Sequence, residues 1–202
     1  MKNSEEVLII FQAFIQSLAH KIRTPLSIIY NELSTLEDSL QREVFELTTK
    51  QCKSIADILK EVSDLQFKNQ NLQNLNLQNL LSEFFPVIVA SVDNIKIIAD
   101  PYLLKSTFKN LSQVFGKQSN VKLDANSNSF LVTIISENEI SSKYPGTYSS
   151  LSEYFYNKCG VTNLSVAIAD IGLLRIADKL ILKADDTLKL EIILAKDVLS
   201  ET

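Results

Sequence analysis

The feature of the sequence that most constrains the fold is a row of apolar residues within residues 1–40. Its members alternate between steps of four and three residues, and they are Phe11, Ile15, Leu18, Ile22, Leu26, Ile29, Leu33, Leu36 and Leu40. This spacing predicts one long helix that buries a single stripe against other helices. A second amphipathic pattern over residues 44–65 predicts a second helix, so residues 1–70 are expected to form a helical hairpin.

Two amphipathic helices alone cannot bury both of their apolar stripes. Pairing of two hairpins produces a four-helix bundle, so the pattern predicts a homodimer. The alternative is an intramolecular bundle that is capped by the rest of the chain.

His20 is the only histidine of the 202 residues, and it lies inside the first helical pattern. It is two residues from both Leu18 and Ile22, which places it off the apolar row and predicts that it faces solvent. Thr24 follows one helical turn later and is expected to share that face. An exposed imidazole can act as a nucleophile, although the alternative is a polar residue on a solvated helix face.

Charge and composition exclude several classes of protein. The formal net charge of −4 argues against general nucleic-acid binding, which needs a concentrated basic face. The apolar run near the start is too short to span a bilayer, so no membrane contact is expected. Cys52 and Cys159 are too far apart for a metal motif and are expected to stay reduced, which favours a cytoplasmic protein. Cys52 lies on or near the apolar face of the second helix and is interpreted as a small core residue.

Glycine is scarce, and its positions exclude two kinds of nucleotide site. The four glycines are Gly116, Gly146, Gly160 and Gly172, and no two of them form a Gly-x-Gly sequence. The dinucleotide-binding fingerprint and the phosphate-binding loop both need closely spaced glycines, because backbone N–H groups must approach phosphates there. Neither site is therefore expected.

Residues 71–202 mix the helical and strand periods and predict an α+β domain. A polar segment at 69–79 leads into a short strand, and the domain boundary is placed near residue 70. Helices are expected at 80–90, 101–115, 149–158 and 164–178, with Asp100 and Pro101 starting the second of them. Strands are expected at 95–99, 121–124, 130–136, 180–183 and 188–194, which predicts helices over a mostly antiparallel sheet. The last two strands are expected to form a hairpin around Asp185 and Asp186.

The run His20-Lys21-Ile22-Arg23-Thr24-Pro25-Leu26 resembles the H-box of two-component sensor histidine kinases. The resemblance implies that His20 is a phosphoryl acceptor. Lys21 occupies a position that is normally acidic in that family, where the acidic side chain helps to activate the histidine. This difference argues against ATP-dependent autophosphorylation.

The second domain resembles the ATP-binding domain of the same kinases but lacks the residues that contact nucleotide. Around Asn110 the chain is similar to the family's N-box, yet Val114 replaces the asparagine that holds magnesium, and valine has no oxygen ligand. Ser136–Ile140 replaces a glycine-containing box, and Gly160–Ile168 keeps one glycine of the last box. The expectation is a degenerate α/β sandwich of the histidine-kinase type, with no bound nucleotide or metal.

The resemblance therefore implies a histidine phosphotransferase, in which His20 exchanges a phosphoryl group with the aspartate of a response regulator receiver domain. Mg²⁺ would belong to that receiver, Lys21 and Arg23 would attract its acidic pocket, and Thr24 is a candidate for positioning a water in a phosphatase reaction. The alternative is a pseudokinase scaffold that docks a receiver or a sensor histidine kinase. A divergent active kinase ranks third.

Overall fold

The computed structural model describes residues 4–34, 42–63, 72–91, 95–126, 129–136, 144–159 and 163–195. The chain begins with two long helices, α1 (Ser4–Ser34) and α2 (Arg42–Ser63), which pack against each other as a hairpin. α1 continues as a helix through Pro25. The connection between the two helices and the predicted boundary at residue 70 lie outside the described residues.

The remainder of the chain is an α/β domain, and two of its strands form a small antiparallel sheet. Its elements are β1 (Gln73–Asn76), α3 (Leu77–Ser82), β2 (Val87–Ala90), β3 (Lys96–Ala99), α4 (Pro101–Phe115), β4 (Asn120–Ala125), β5 (Ser129–Ile135), β6 (Gly146–Tyr148), α5 (Leu151–Cys159), α6 (Leu164–Ile176), β7 (Lys179–Ala184) and β8 (Leu188–Ala195). β1 pairs with β3, and the six other strands form one sheet in the order β2-β4-β5-β8-β7-β6. Only the β2–β4 pair within that sheet is parallel. The predicted α+β class is confirmed.

One face of the large sheet carries the main core. Alternate residues of β4, such as Val121 and Leu123, are buried, and Leu190 and Ile192 of β8 follow the same period of two. These side chains belong to one apolar cluster with residues of α3, α4 and α6. A sheet that is covered on one face by helices explains why the strand patterns alternate between apolar and polar residues.

α4 begins and ends as its sequence predicts. Asp100 caps it, because its carboxylate accepts hydrogen bonds from the backbone N–H groups of Tyr102 and Leu103 at 2.9 and 3.3 Å. Pro101 occupies the first turn, where a missing N–H costs nothing. Gly116 ends the helix with φ of 94°, a conformation that side chains with a Cβ disfavour.

α6 has apolar residues on every side and no continuous polar face, which fits a helix that is covered on two sides. Residues of α6 such as Val166 and Leu173 join the main core, while Leu164, Ala167 and Ile168 belong to a second cluster with the hairpin. α6 also crosses α4 closely: a Cβ on Gly172 would lie 1.9 Å from Oγ1 of Thr107. A helix without a polar face requires such burial on both sides.

The hairpin attaches to the α/β domain through α1. Phe14 is 7% exposed, and Leu18 and Ile22 pack beside it against Leu164, Ala167 and Ile168 of α6. The predicted single stripe on α1 is therefore divided. Phe11, Ile15 and Leu26, which were assigned to the same stripe, are 55%, 47% and 51% exposed in the single chain.

Two local predictions are wrong. Residues 80–90 do not form one helix, because α3 ends at Ser82 and Val87–Ala90 pairs with β4 as a strand. Pro86 cannot donate a helical hydrogen bond, and its neighbours are free to join the sheet. Cys52, which was expected in a core, is exposed on α2. Among the described residues, no helix is both long enough and apolar enough to cross a membrane.

Candidate functional site

His20 lies on the exposed surface of α1. Successive residues of an α-helix are about 100° apart around its axis, so His20 lies about 160° from both Leu18 and Ile22, nearly on the opposite side. Because Leu18 and Ile22 pack toward α6, the imidazole is directed away from the α/β domain. The exposure of His20 that the spacing predicted is confirmed, and a partner molecule can reach the side chain.

Thr24 stands one turn beyond His20 and is tied to it through the backbone. Its hydroxyl Oγ1 donates a hydrogen bond to the carbonyl oxygen of His20 at 3.2 Å. The structure thus brings the two predicted site residues together on one exposed face. The hydroxyl oxygen still has lone pairs that can accept a hydrogen bond from a water molecule.

Lys21 and Arg23 flank the same turn, and both are exposed. Pro25, which is buried, follows them on the helix. Proline has no N–H to donate to the carbonyl of Lys21 four residues earlier, so the backbone lacks one hydrogen bond beside the histidine. The site therefore combines an exposed imidazole, two cations and a hydroxyl on a locally weakened turn.

The residues at the positions that correspond to the nucleotide boxes provide too few oxygen ligands for magnesium. Asn110 is fully buried on α4, where its Nδ2 donates to the carbonyl of Ser106 at 2.8 Å. Among the described residues, no donor is within hydrogen-bonding distance of Asn110 Oδ1. Val114 packs against the main core and provides no oxygen. These residues do not fit a magnesium–nucleotide complex, because one amide oxygen does not hold a hard cation.

The N-terminus of α6 is capped by a side chain of its own segment. The side chain of Asn163 accepts a hydrogen bond from the backbone N–H of Val166 at 2.9 Å. Free N–H groups at a helix N-terminus attract phosphates, and the cap removes one of them. Gly160, the remaining glycine of the last box, lies outside the described residues.

Asp170 is a buried functional group that the sequence reading missed. It is 1% exposed, and its two carboxylate oxygens accept hydrogen bonds from the backbone N–H groups of Leu151 and Ser152 at 3.0 and 2.6 Å. It thereby holds the N-terminus of α5 against α6. The sequence feature that could have identified Asp170 is its place as the single aspartate within the apolar pattern of α6.

Comparison with known proteins agrees with this arrangement for the hairpin. Residues 12–71 match the family model of the His Kinase A (phospho-acceptor) domain. A stretch of 64 residues is 33% identical to the sensor protein CiaH from two strains of Streptococcus pneumoniae. That stretch is 32% of this chain, and it spans only 14% of the length of each CiaH protein.

Solved structures show the same fold over most of the chain. The Acinetobacter baumannii histidine kinase AdeS superposes with a TM-score of 0.58 over 88% of this chain and 98% of AdeS, at 12% sequence identity. Histidine kinase ThkA, solved in complex with the response regulator protein TrrA, has a TM-score of 0.58 at 15% identity. That match covers 98% of this chain and 65% of ThkA. The fold is thus that of these histidine kinases, a two-helix hairpin followed by an ATPase-like α/β domain.

Proposed function

We propose that this histidine kinase-like protein is a histidine phosphotransferase of a two-component phosphorelay. His20 accepts a phosphoryl group from the phospho-aspartate of a response regulator receiver domain and passes it to another receiver. The observation that carries the proposal is the exposed position of His20 within the segment that matches a phospho-acceptor domain.

The transfer reaction requires little from this chain apart from the correct position of the His20 imidazole. A lone pair on the imidazole of His20 attacks phosphorus, the N–P bond forms, and the P–O bond to the aspartate breaks so that the carboxylate leaves. Phosphoryl transfer of this kind depends mainly on alignment and charge stabilisation. In this proposal the receiver supplies Mg²⁺, and Lys21 and Arg23 attract its acidic pocket.

The α/β domain supports a role without ATP. Val114 and the capped N-terminus of α6 leave a poor site for magnesium and phosphates, as described above. Lys21 is a cation where the kinases have an acidic residue beside the histidine. We therefore infer that the domain serves as a scaffold that holds α1 through α6, rather than as a source of phosphoryl groups.

We also propose that two hairpins associate as a homodimer. Large apolar side chains remain exposed on the hairpin of the single chain, with Tyr30 73% and Phe45 63% exposed in addition to Phe11, Ile15 and Leu26. Exposed apolar surface of this extent marks an interaction site. A four-helix bundle buries it, and sedimentation of the full chain tests the association state directly.

The experiment that tests the transfer uses the purified chain and a panel of phosphorylated receivers. Acid-labile label should appear on the wild type and be absent from His20→Gln, while Cys52→Ser, an exposed change on the other helix, should leave labelling intact. Labelling of the His20→Gln variant would contradict the proposal. ATP-dependent labelling of His20 with no receiver present would favour a divergent kinase instead.

Thr24 supports a second candidate function, that of a receiver phosphatase. Its hydroxyl lies within one turn of His20 and can hold an attacking water. Loss of label from the receiver to free phosphate, with none on the chain, would favour this function. Thr24→Ala should then abolish the loss. Binding of receivers without transfer or hydrolysis would favour a scaffold.

A further inference from the structure

A groove of about 930 Å³ separates the hairpin from the α/β domain and begins next to the phospho-acceptor. Lys21, the residue after His20, lines one part of it. Two helix faces form its sides, one from α2 and one from α4. The positions that correspond to the nucleotide boxes, Asn110 and Val114, are not among the residues that line it.

Each side of the groove carries two lysines and a serine. α2 contributes Lys50, Lys53 and Ser54, and α4 contributes Lys105, Ser106 and Lys109. Steps of three and four residues place each set on one face of its helix. Two basic rows therefore face one another across the groove.

The charge of the groove is opposite to that of the whole chain. Five lysines line it, and of the described residues on its surface one, Asp57, is acidic. Lys105 is also paired with Glu83 at 2.9 Å. The chain as a whole carries a net charge of −4, so this is a local concentration of positive charge. Such a concentration repels itself and attracts an anionic partner over long range.

The exposure of these lysines indicates the kind of partner. All five lysines are exposed. A small-molecule site, by contrast, encloses most of its ligand's surface, so this open groove is better suited to a macromolecular partner. The floor is apolar, with Ile58 8% exposed and Phe84 half-buried, and Tyr102 stands at the edge with 63% exposure. An apolar floor that includes an aromatic side chain, with charged groups around it, is typical of protein–protein contacts.

We propose that this groove is a docking surface for an acidic face of the receiver, so that α4 of the α/β domain takes part directly in partner recognition. The proposal rests on the proposed function, because a receiver whose aspartate meets His20 lies beside Lys21. Its acidic face would then lie between the two basic rows. The α/β domain would select the partner without contacting the transferred phosphoryl group.

The test measures the steady-state transfer of phosphoryl groups from the receiver that labels His20 most efficiently. Lys105→Glu with Lys109→Glu should raise KM by about tenfold or more and leave kcat within about twofold, because rim charges act on encounter and docking. The control is Lys122→Glu with Lys179→Glu, which makes the same change of net charge at exposed lysines of β4 and β7. The control should leave KM unchanged.

Salt provides an independent readout of the same contact. Raising the salt concentration from about 50 to about 300 mM should raise KM of the wild type more than that of the Lys105/Lys109 variant, because screening removes an attraction that the variant has already lost. A second variant, Lys50→Glu with Lys53→Glu, should behave like the first if both rows contact the partner.

The two proposals fail in different ways. An unchanged KM in the Lys105/Lys109 variant, with transfer still dependent on His20, overturns the docking surface alone. If no receiver exchanges phosphoryl groups with His20, the same receivers are titrated directly against wild type and variant, and equal or absent binding overturns the docking surface too. Micromolar binding of pyrophosphate that the variant loses, with receiver binding unchanged, would assign the groove to a small anion instead.

Discussion

The contact between α1 and α6 should hold the hairpin on the α/β domain, and Phe14→Ala measures its strength. Phe14 is 7% exposed and packs against Leu164, Ala167 and Ile168. Truncating a buried phenylalanine costs about 3–5 kcal/mol when the cavity does not collapse. Two separate elements meet here and can shift toward each other, so we expect the lower end, about 3 kcal/mol, or about a 100-fold change in the unfolding equilibrium.

Phe11→Ala is the matched control, because it makes the same change three residues earlier on the same helix. Phe11 is 55% exposed in the single chain, so its truncation should cost about 1 kcal/mol or less. Urea unfolding, followed by far-ultraviolet circular dichroism, is measured at protein concentrations where sedimentation shows a monomer. Any contribution of Phe11 to a dimer interface is then excluded.

The reasoning is refuted if the two variants lose the same free energy of unfolding in the monomer. Equal losses would mean that α1 is not held by α6. A separate transition at lower urea concentration, seen in Phe14→Ala alone, would support the contact. The hairpin would then detach from the α/β domain before that domain unfolds. The slope of the main transition should change little, since the α/β core is untouched.

Three further changes test the core and the sheet. Asp170→Asn should cost about 2 kcal/mol by thermal unfolding, because an amide NH₂ replaces one acceptor of the two buried N–H groups that begin α5. Gly172→Ala should cost about 1–3 kcal/mol, and Thr107→Ala should partly restore the stability, since the added Cβ meets the threonine side chain. A hydrogen bond from Lys189 lowers the pKa of Glu191 despite partial burial. The folded pKa lies below the unfolded one, so this stabilisation is present above about pH 4.3 and is lost as the pH falls through the folded pKa. Lys189→Met should therefore cost about 0.5–1 kcal/mol near neutral pH and nothing in strong acid, as measured by urea unfolding across that range.

Local signals in the sequence were sufficient to predict structure that depends on a single segment of the chain. Asp100 and Pro101 mark the start of α4, because a cap and a first-turn proline depend on neighbouring residues alone. The hairpin of β7 and β8 around Asp185 and Asp186 follows for the same reason. The exposure of His20 needed only its phase relative to Leu18 and Ile22.

The sequence was insufficient to predict structure that depends on contacts between segments distant along the chain. Val87–Ala90 becomes a strand because it pairs with β4, which is more than 30 residues away along the chain. The division of the apolar face of α1 depends on α6, and the basic groove depends on two helices whose lysines are about 50 residues apart. Neither juxtaposition leaves a local pattern, although the apolar circumference of α6 was a sign that a second element covers it.

The packing of α1 on α6 also fixes the direction in which His20 faces, and the free energy of that packing opposes any other orientation. Turning α1 about its axis so that His20 faced the α/β domain would remove Phe14, Leu18 and Ile22 from their contacts together. A ligand that binds His20 only in its outward position therefore favours the packed state over the turned one, and by linkage a weakened contact lowers that ligand's affinity. Substitutions on α6, which touch neither His20 nor its partner, should accordingly alter how readily a receiver is bound.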